Sequence, residues 1–94
     1  MRQTYAQVKS EAMAFVRRGL EHNRLLYAII YKDGGGDYKM RELCNGAVIC
    51  YMSFKAIVYA DGVTNEVRVA CSREEIASIL EQFVHVKFIY TQFG

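Results

Sequence analysis

Residues 31–38 read Tyr31-Lys32-Asp33-Gly34-Gly35-Gly36-Asp37-Tyr38, YKDGGGDY, and the fold turns on whether these glycines hold a ligand or reverse the chain. A phosphate-binding loop needs a helix directly behind it, so that backbone N–H groups and the helix dipole converge on the anion. Here YKMRELC, residues 38–44, follows, and it alternates as a strand: Lys39, Arg41 and Leu43 on one side, Tyr38, Met40 and Glu42 on the other. The spacing also lacks the oxygen ligands and terminal Glu of a calcium loop. Ahead of the glycines, LLYAIIYK at 25–32 is rich in aromatic and β-branched residues and too short for a stable helix, which makes it a strand. Strand, glycine turn, strand is a β-hairpin, with DGGGD at its tip.

Outward from this hairpin the pattern continues as a meander. Asn45-Gly46 joins the second strand to another apolar run, and Asn-Gly suits the positive φ angles of a type I′ turn. Residues 47–60 would reach roughly 46 Å if extended at about 3.3 Å per residue. That exceeds the roughly 35 Å expected across so small a domain. The run must therefore bend, and Ser53–Lys55 is the expected bulge or corner, with strands at 47–53 and 55–60. After it, a five-residue loop from Asp61 to Asn65 would set Tyr59 against Val67 and Ile57 against Val69, keeping apolar residues on one face.

Helices bracket this sheet. Tyr5, Val8, Ala12, Phe15, Val16 and Leu20 recur at three- and four-residue steps, predicting a helix over 4–22 that starts with a Thr4/Gln7 capping box and stops at Asn23 rather than Gly19. Ser72-Arg73-Glu74-Glu75 is a second capping box, leading into Ile76, Ile79, Leu80 and Phe83 on one face. A closing strand, VKFIYTQF, follows at 86–93. The reading is one α+β domain over residues 1–94, in the order α-β-β-β-β-β-α-β, with a mainly antiparallel meander sheet and both helices on one face.

Composition narrows the function classes. At 94 residues, with 52% hydrophobic residues and no proline, the chain supplies one core and no linker signature. Its net charge of +2 falls short of the basic balance of a dedicated nucleic-acid binder. Residues 1–47 nevertheless carry eight Lys/Arg and five Asp/Glu, so charge-driven contacts are expected in the N-terminal half. Three cysteines, Cys44, Cys50 and Cys71, form neither a C-x-x-C pair nor an even set. That points to a reducing, cytoplasmic setting, with the cysteines as small buried hydrophobes. Lys9 and Glu11 interrupt any signal-peptide core, and no uncharged run is long enough to cross a bilayer, so no membrane role is expected.

No pattern of nucleophile, base or metal ligand stands out, and neither an enzyme nor a cofactor is implied. His22 and His85 lie near helix ends, where an imidazole meets terminal carbonyls. Arg17, Arg18 and Arg24, with Lys39 and Arg41, would make one basic patch if the end of the first helix packs beside the first hairpin; the competing reading is a solvated rim. Among seven tyrosines, Tyr27 and Tyr31 share a strand face, and Tyr38, Tyr51 and Tyr59 lie on nearby strands, at a core boundary or on a binding face.

The expectation is a small binding protein acting by protein–protein contact: an inhibitor, immunity or phage anti-defence protein that covers a site on a larger partner. Its contact residues would be Arg17, Arg18, Arg24, Lys39, Arg41, Tyr27, Tyr31 and Tyr38. The alternative is nucleic-acid binding through the basic patch and the tyrosine face. Residues 86–93, if they form an edge strand, would offer pairing with a partner or with a second copy in a symmetric dimer; insertion beside an earlier strand is the other arrangement.

Overall fold

The structure is a computed structural model that describes residues 3–45, 48–49, 52–83, 87–88 and 91–93. Helix α1 spans Tyr5–Glu21 and starts as its sequence requires. Thr4 Oγ1 accepts from the Gln7 N–H at 3.2 Å, and Gln7 Oε1 accepts from the Thr4 N–H at 2.9 Å. The helix stops at Asn23, whose φ of 57° is left-handed. Arg24 N–H donates to the Gly19 carbonyl and Asn23 N–H to the Leu20 carbonyl, so orphan carbonyls of the last turn are satisfied in a Schellman closure. Gly19 sits inside the helix and is buried.

Strands β1 (Tyr27–Lys32) and β2 (Tyr38–Glu42) form the expected hairpin, with Tyr31 opposite Lys39 and Ile29 opposite Arg41. The glycines are its tip. Asp33 N–H donates to the Asp37 carbonyl, the Asp33 carboxylate accepts from the N–H groups of Gly35 and Asp37, and Gly36 takes φ 89°. Lys39 Nζ lies 3.1 Å from Asp33 Oδ2. The tip is thus tied by its own carboxylate.

Strand β3 is short, Val48–Ile49; β4 runs Met52–Asp61 and β5 Glu66–Ala70. Helix α2 covers Arg73–Leu80, and β6 (Lys87–Phe88) and β7 (Thr91–Phe93) close the chain. The main sheet has the order β2-β1-β4-β5, antiparallel throughout, with β7 also against β4, while β3 and β6 pair separately. The α+β class holds.

Four details depart from expectation. First, the meander is interrupted: β1, not β3, lies between β2 and β4, and β3 pairs with β6. Gly46 of the expected Asn45-Gly46 turn lies outside the described residues. Second, the bulge falls where expected, since Ile30 faces Ala56 and Tyr31 faces Phe54, leaving Lys55 as the extra residue; yet β4 runs unbroken through it from Met52.

Third, the β4–β5 register is one residue away from expectation: Ile57 opposes Ala70 and Ala60 opposes Val67. The Asp61 carboxylate accepts from the N–H groups of Val63 and Thr64, Asn65 takes φ 57°, and the loop closes in four residues, 62–65. A one-residue slip exchanges strand faces, so Val67 and Val69 join Ala60 and Val58 rather than Tyr59 and Ile57. Fourth, β6 and β7 run parallel to their partners. Because β1 follows one side of β4 and β5 covers only 57–61 of the other, β7 takes the remaining stretch at 52–54.

The largest correction concerns the helices, which lie on opposite faces. Val8, Ala12 and Val16 of α1 pack on Ala28, Ile30, Ala56, Val58 and Ala60. Ile76 and Ile79 of α2 pack on Ile29, Phe54, Ile57 and Ala70. Ala28-Ile29-Ile30 and Ala56-Ile57-Val58 are each completely buried as consecutive residues, which a strand achieves only when both faces are covered. The bulge carries Phe54 onto the α2 side, next to Tyr31. Small alanines under α1 let that helix approach closely, and the bulkier Ile and Phe side chains fill the space beneath the shorter α2.

Candidate protein-binding surface

The expected five-residue basic patch does not assemble. It required the end of α1 beside the first hairpin, but the start of α1 lies there: Tyr38 N–H donates to the Gln3 carbonyl, and the rings of Tyr5 and Tyr38 meet edge to face at 5.7 Å. Burial, with Cys71 and Tyr38 nearby, raises the Tyr5 phenol above its ordinary pKa. The end of α1 instead reaches Leu26, Ala60 and Val67 at the far end of the sheet.

Arg17, Arg18 and Arg24 are all exposed and stay together at this far end. Arg18 and Arg24 line one groove of about 310 Å³ with Phe15, His22 and Leu26. Arg17 lines a larger open groove of about 680 Å³ with Asn23, Asn65 and Glu66. His22 closes the helix as expected: its Nδ1 donates to the Arg18 carbonyl at 2.8 Å, which fixes the proton on that nitrogen. His85 lies outside the described residues.

The same end of the domain also carries residues that the sequence reading passed over. Leu25 is 55% exposed and Val63 is 93% exposed, and they are the large exposed hydrophobics of the described residues. Leu25 lies against the turn that carries Val63: a Cβ at Gly62, the residue before Val63, would lie 3.0 Å from Leu25 Cδ1. The signal was an apolar residue at the tip of the Asp61–Asn65 turn, where it serves no core, and another wedged between the helix stop and β1.

The other expected contact residues go elsewhere. Lys39 and Arg41 project from the α2 face of β2, beside Tyr31 and Ile29, with Lys39 bound to Asp33. Tyr27 stacks on Tyr59 at 5.7 Å and 7°, and the edge-to-face ring of Phe83 lies 5.0 Å away. Tyr31 is half-buried against the α2-side core. Tyr38 lies on the opposite face, its ring under Lys32 Nζ at 5.7 Å. Tyr27, Tyr31, Tyr38 and Tyr59 therefore sit at core boundaries, and Tyr51 lies outside the described residues.

Cys44 and Cys71 are exposed and free, contrary to expectation, because each falls just past the end of a strand rather than within it. Cys50 is outside the described residues. Among the described residues no group of three or more His, Cys, Asp or Glu is placed to hold a metal ion, and no helix is long and apolar enough to cross a membrane. No family model matches this chain, and neither a curated protein nor a solved structure matches it.

Proposed function

We propose that this chain is a small binding protein that acts by covering part of a larger protein, and that it docks through the end of the domain where α1 stops. The observation that carries this reading is the exposure of Leu25 and Val63 at the end of the domain where the exposed Arg17, Arg18 and Arg24 also lie. Exposed apolar side chains gain by leaving water on association, and arginine is enriched in interface cores because its guanidinium both stacks and forks onto carboxylates. The matching partner surface is an apolar depression with acidic groups around it. Occlusion of a partner's site, as by an inhibitor or immunity protein, needs no chemistry from this chain and fits a cytoplasmic setting. Nucleic acid is the weaker reading, because Tyr27 and Tyr59 spend ring surface on one another and on Phe83.

The test is affinity capture with the intact protein, with Leu25→Ser/Val63→Ser and Arg17→Ala/Arg18→Ala variants, and with Lys39→Ala/Arg41→Ala as a control, all checked by circular dichroism. The expected result is a protein that co-purifies after nuclease treatment, is lost with the first two variants and stays with the control. Retention of every captured protein by the folded α1-end variants would sink this reading.

A further inference from the structure

The outer edge of β5 is open: among the described residues no strand pairs with it. The direction of its backbone groups follows from the register. Ala60 N–H donates to the Leu26 carbonyl, so Ala60 and Val58 turn their backbone groups toward β1, while Tyr59 and Asp61, alternating with them, face β5. Opposite Tyr59 and Asp61 lie Arg68 and Glu66, which leaves the N–H and C=O groups of Val67 and Val69 directed out of the sheet. This edge is apolar on one face and charged on the other. Val67 and Val69 stand half-buried on the α1 side, where an open groove of about 680 Å³ is bordered by Val67 and by Leu20 and Glu21 of α1. Glu66 and Arg68 project on the α2 side, the face that Ala70 shares, with side chains 64% and 43% exposed.

We infer that this edge pairs with the same edge of a second copy of the chain. A row of outward N–H and C=O groups is matched by another extended backbone, and the side chains of β5 suit its own copy. About a two-fold axis at Val67, the two Val67 residues exchange both N–H···O bonds, and Glu66 of each copy falls opposite Arg68 of the other. Asp61 anchors Arg68 at 2.9 Å, which holds the guanidinium at this edge for the carboxylate from across the axis. Other centres are worse. A pairing centred on Arg68 would set Arg68 on its counterpart, and at the opposite edge of the sheet β2, centred on Met40, would set Lys39 on Arg41. Asn65, left-handed at φ 57°, ends the strand on one side, so the pairing is short. It rests on residues 66–69 and on none of Leu25, Val63, Arg17, Arg18 or Arg24, so it stands or falls separately from the proposed docking end.

The test is sedimentation equilibrium of the intact protein over a concentration series, with Glu66→Arg, Arg68→Glu and Val67→Pro variants, each checked for folding by circular dichroism. The expected result is a wild-type dimer with a Kd in roughly the micromolar range, as suits a small interface. Glu66→Arg and Arg68→Glu should each weaken it by at least about tenfold, because like charges then face each other. Mixed in equal amounts, these two variants should recover a dimer, since one then carries two arginines and the other two glutamates in the facing positions. Val67→Pro removes an outward N–H that an edge strand can spare, and should leave a folded monomer. A wild-type protein that stays monomeric through the micromolar range, which would leave the edge to a strand of another protein, overturns the inference. So does a dimer that survives Glu66→Arg or Val67→Pro, or a mixture of the two charge variants that stays monomeric.

Discussion

A methyl group at position 19 would meet Leu26 Cγ at 2.8 Å and Cδ1 at 2.6 Å, closer than carbon atoms pack. Gly19 is therefore the point where α1 and the start of β1 come into contact, and its value lies in size rather than in backbone freedom. Two effects oppose each other in Gly19→Ala. Alanine gains up to about 1 kcal/mol of helix propensity, while forcing volume into a filled contact costs about 1–3 kcal/mol. Because two atoms of a buried side chain are in the way, packing wins: the variant should be destabilised by about 1 kcal/mol, read from the denaturant midpoint. A stabilised variant would show that Leu26 swings aside freely. At this scale the sequence was legible where the reason is local, as with Asn23 at the helix stop. It was silent where the reason is a neighbour distant along the chain, as with Leu25 against Gly62.

Elements built from short-range hydrogen bonds behave as their residues direct. The Asp33 carboxyl is held below its ordinary value of 3.8, chiefly by the Lys39 ammonium hydrogen bond and then by the N–H of Asp37. Asp61 is lowered in the same direction by the N–H groups of Val63 and Thr64. A depressed carboxylate adds stability that is present above its unfolded pKa and is lost as pH falls through the lower folded value. Asp33→Asn keeps an oxygen for the turn N–H groups and removes the charge that pairs with Lys39. In a pH series of unfolding midpoints, wild type should be the more stable above pH 3.8. The two proteins should converge as the pH drops below that value; parallel curves would contradict the assignment. Hairpin tip, the Thr4/Gln7 capping box, helix stop and bulge position were all readable because each is decided within a few residues; at Ser72 only half of the expected box forms, since the Glu75 carboxylate accepts the Ser72 hydroxyl rather than its backbone N–H. The β4–β5 register was not, because a four-residue and a five-residue loop differ only in which face receives Val67 and Val69.

Across the whole molecule, the sheet separates two cores, one under α1 and one under α2. Ile30→Val and Ile76→Val act in different cores, and each should cost about 1 kcal/mol. Their effects should add to within about 0.5 kcal/mol, as for residues without shared partners; a larger coupling energy would place them in one core. The sign that both faces are covered was already in LLYAIIYK and AIVYA, continuous apolar runs where a strand exposed on one side would alternate. The candidate surfaces were legible only in part. Arg17, Arg18 and Arg24 do gather, since they flank one helix end, but Lys39 and Arg41 go elsewhere because the start of α1, not its end, meets the hairpin. The sequence by itself determined the helices, the first hairpin and its glycine tip, because capping, turn chemistry and periodicity act between residues close along the chain. Only the tertiary structure decided which faces the helices cover, that β7 runs parallel to β4, and that Leu25 stands against Gly62, because each depends on how distant segments share the sides of one central strand pair.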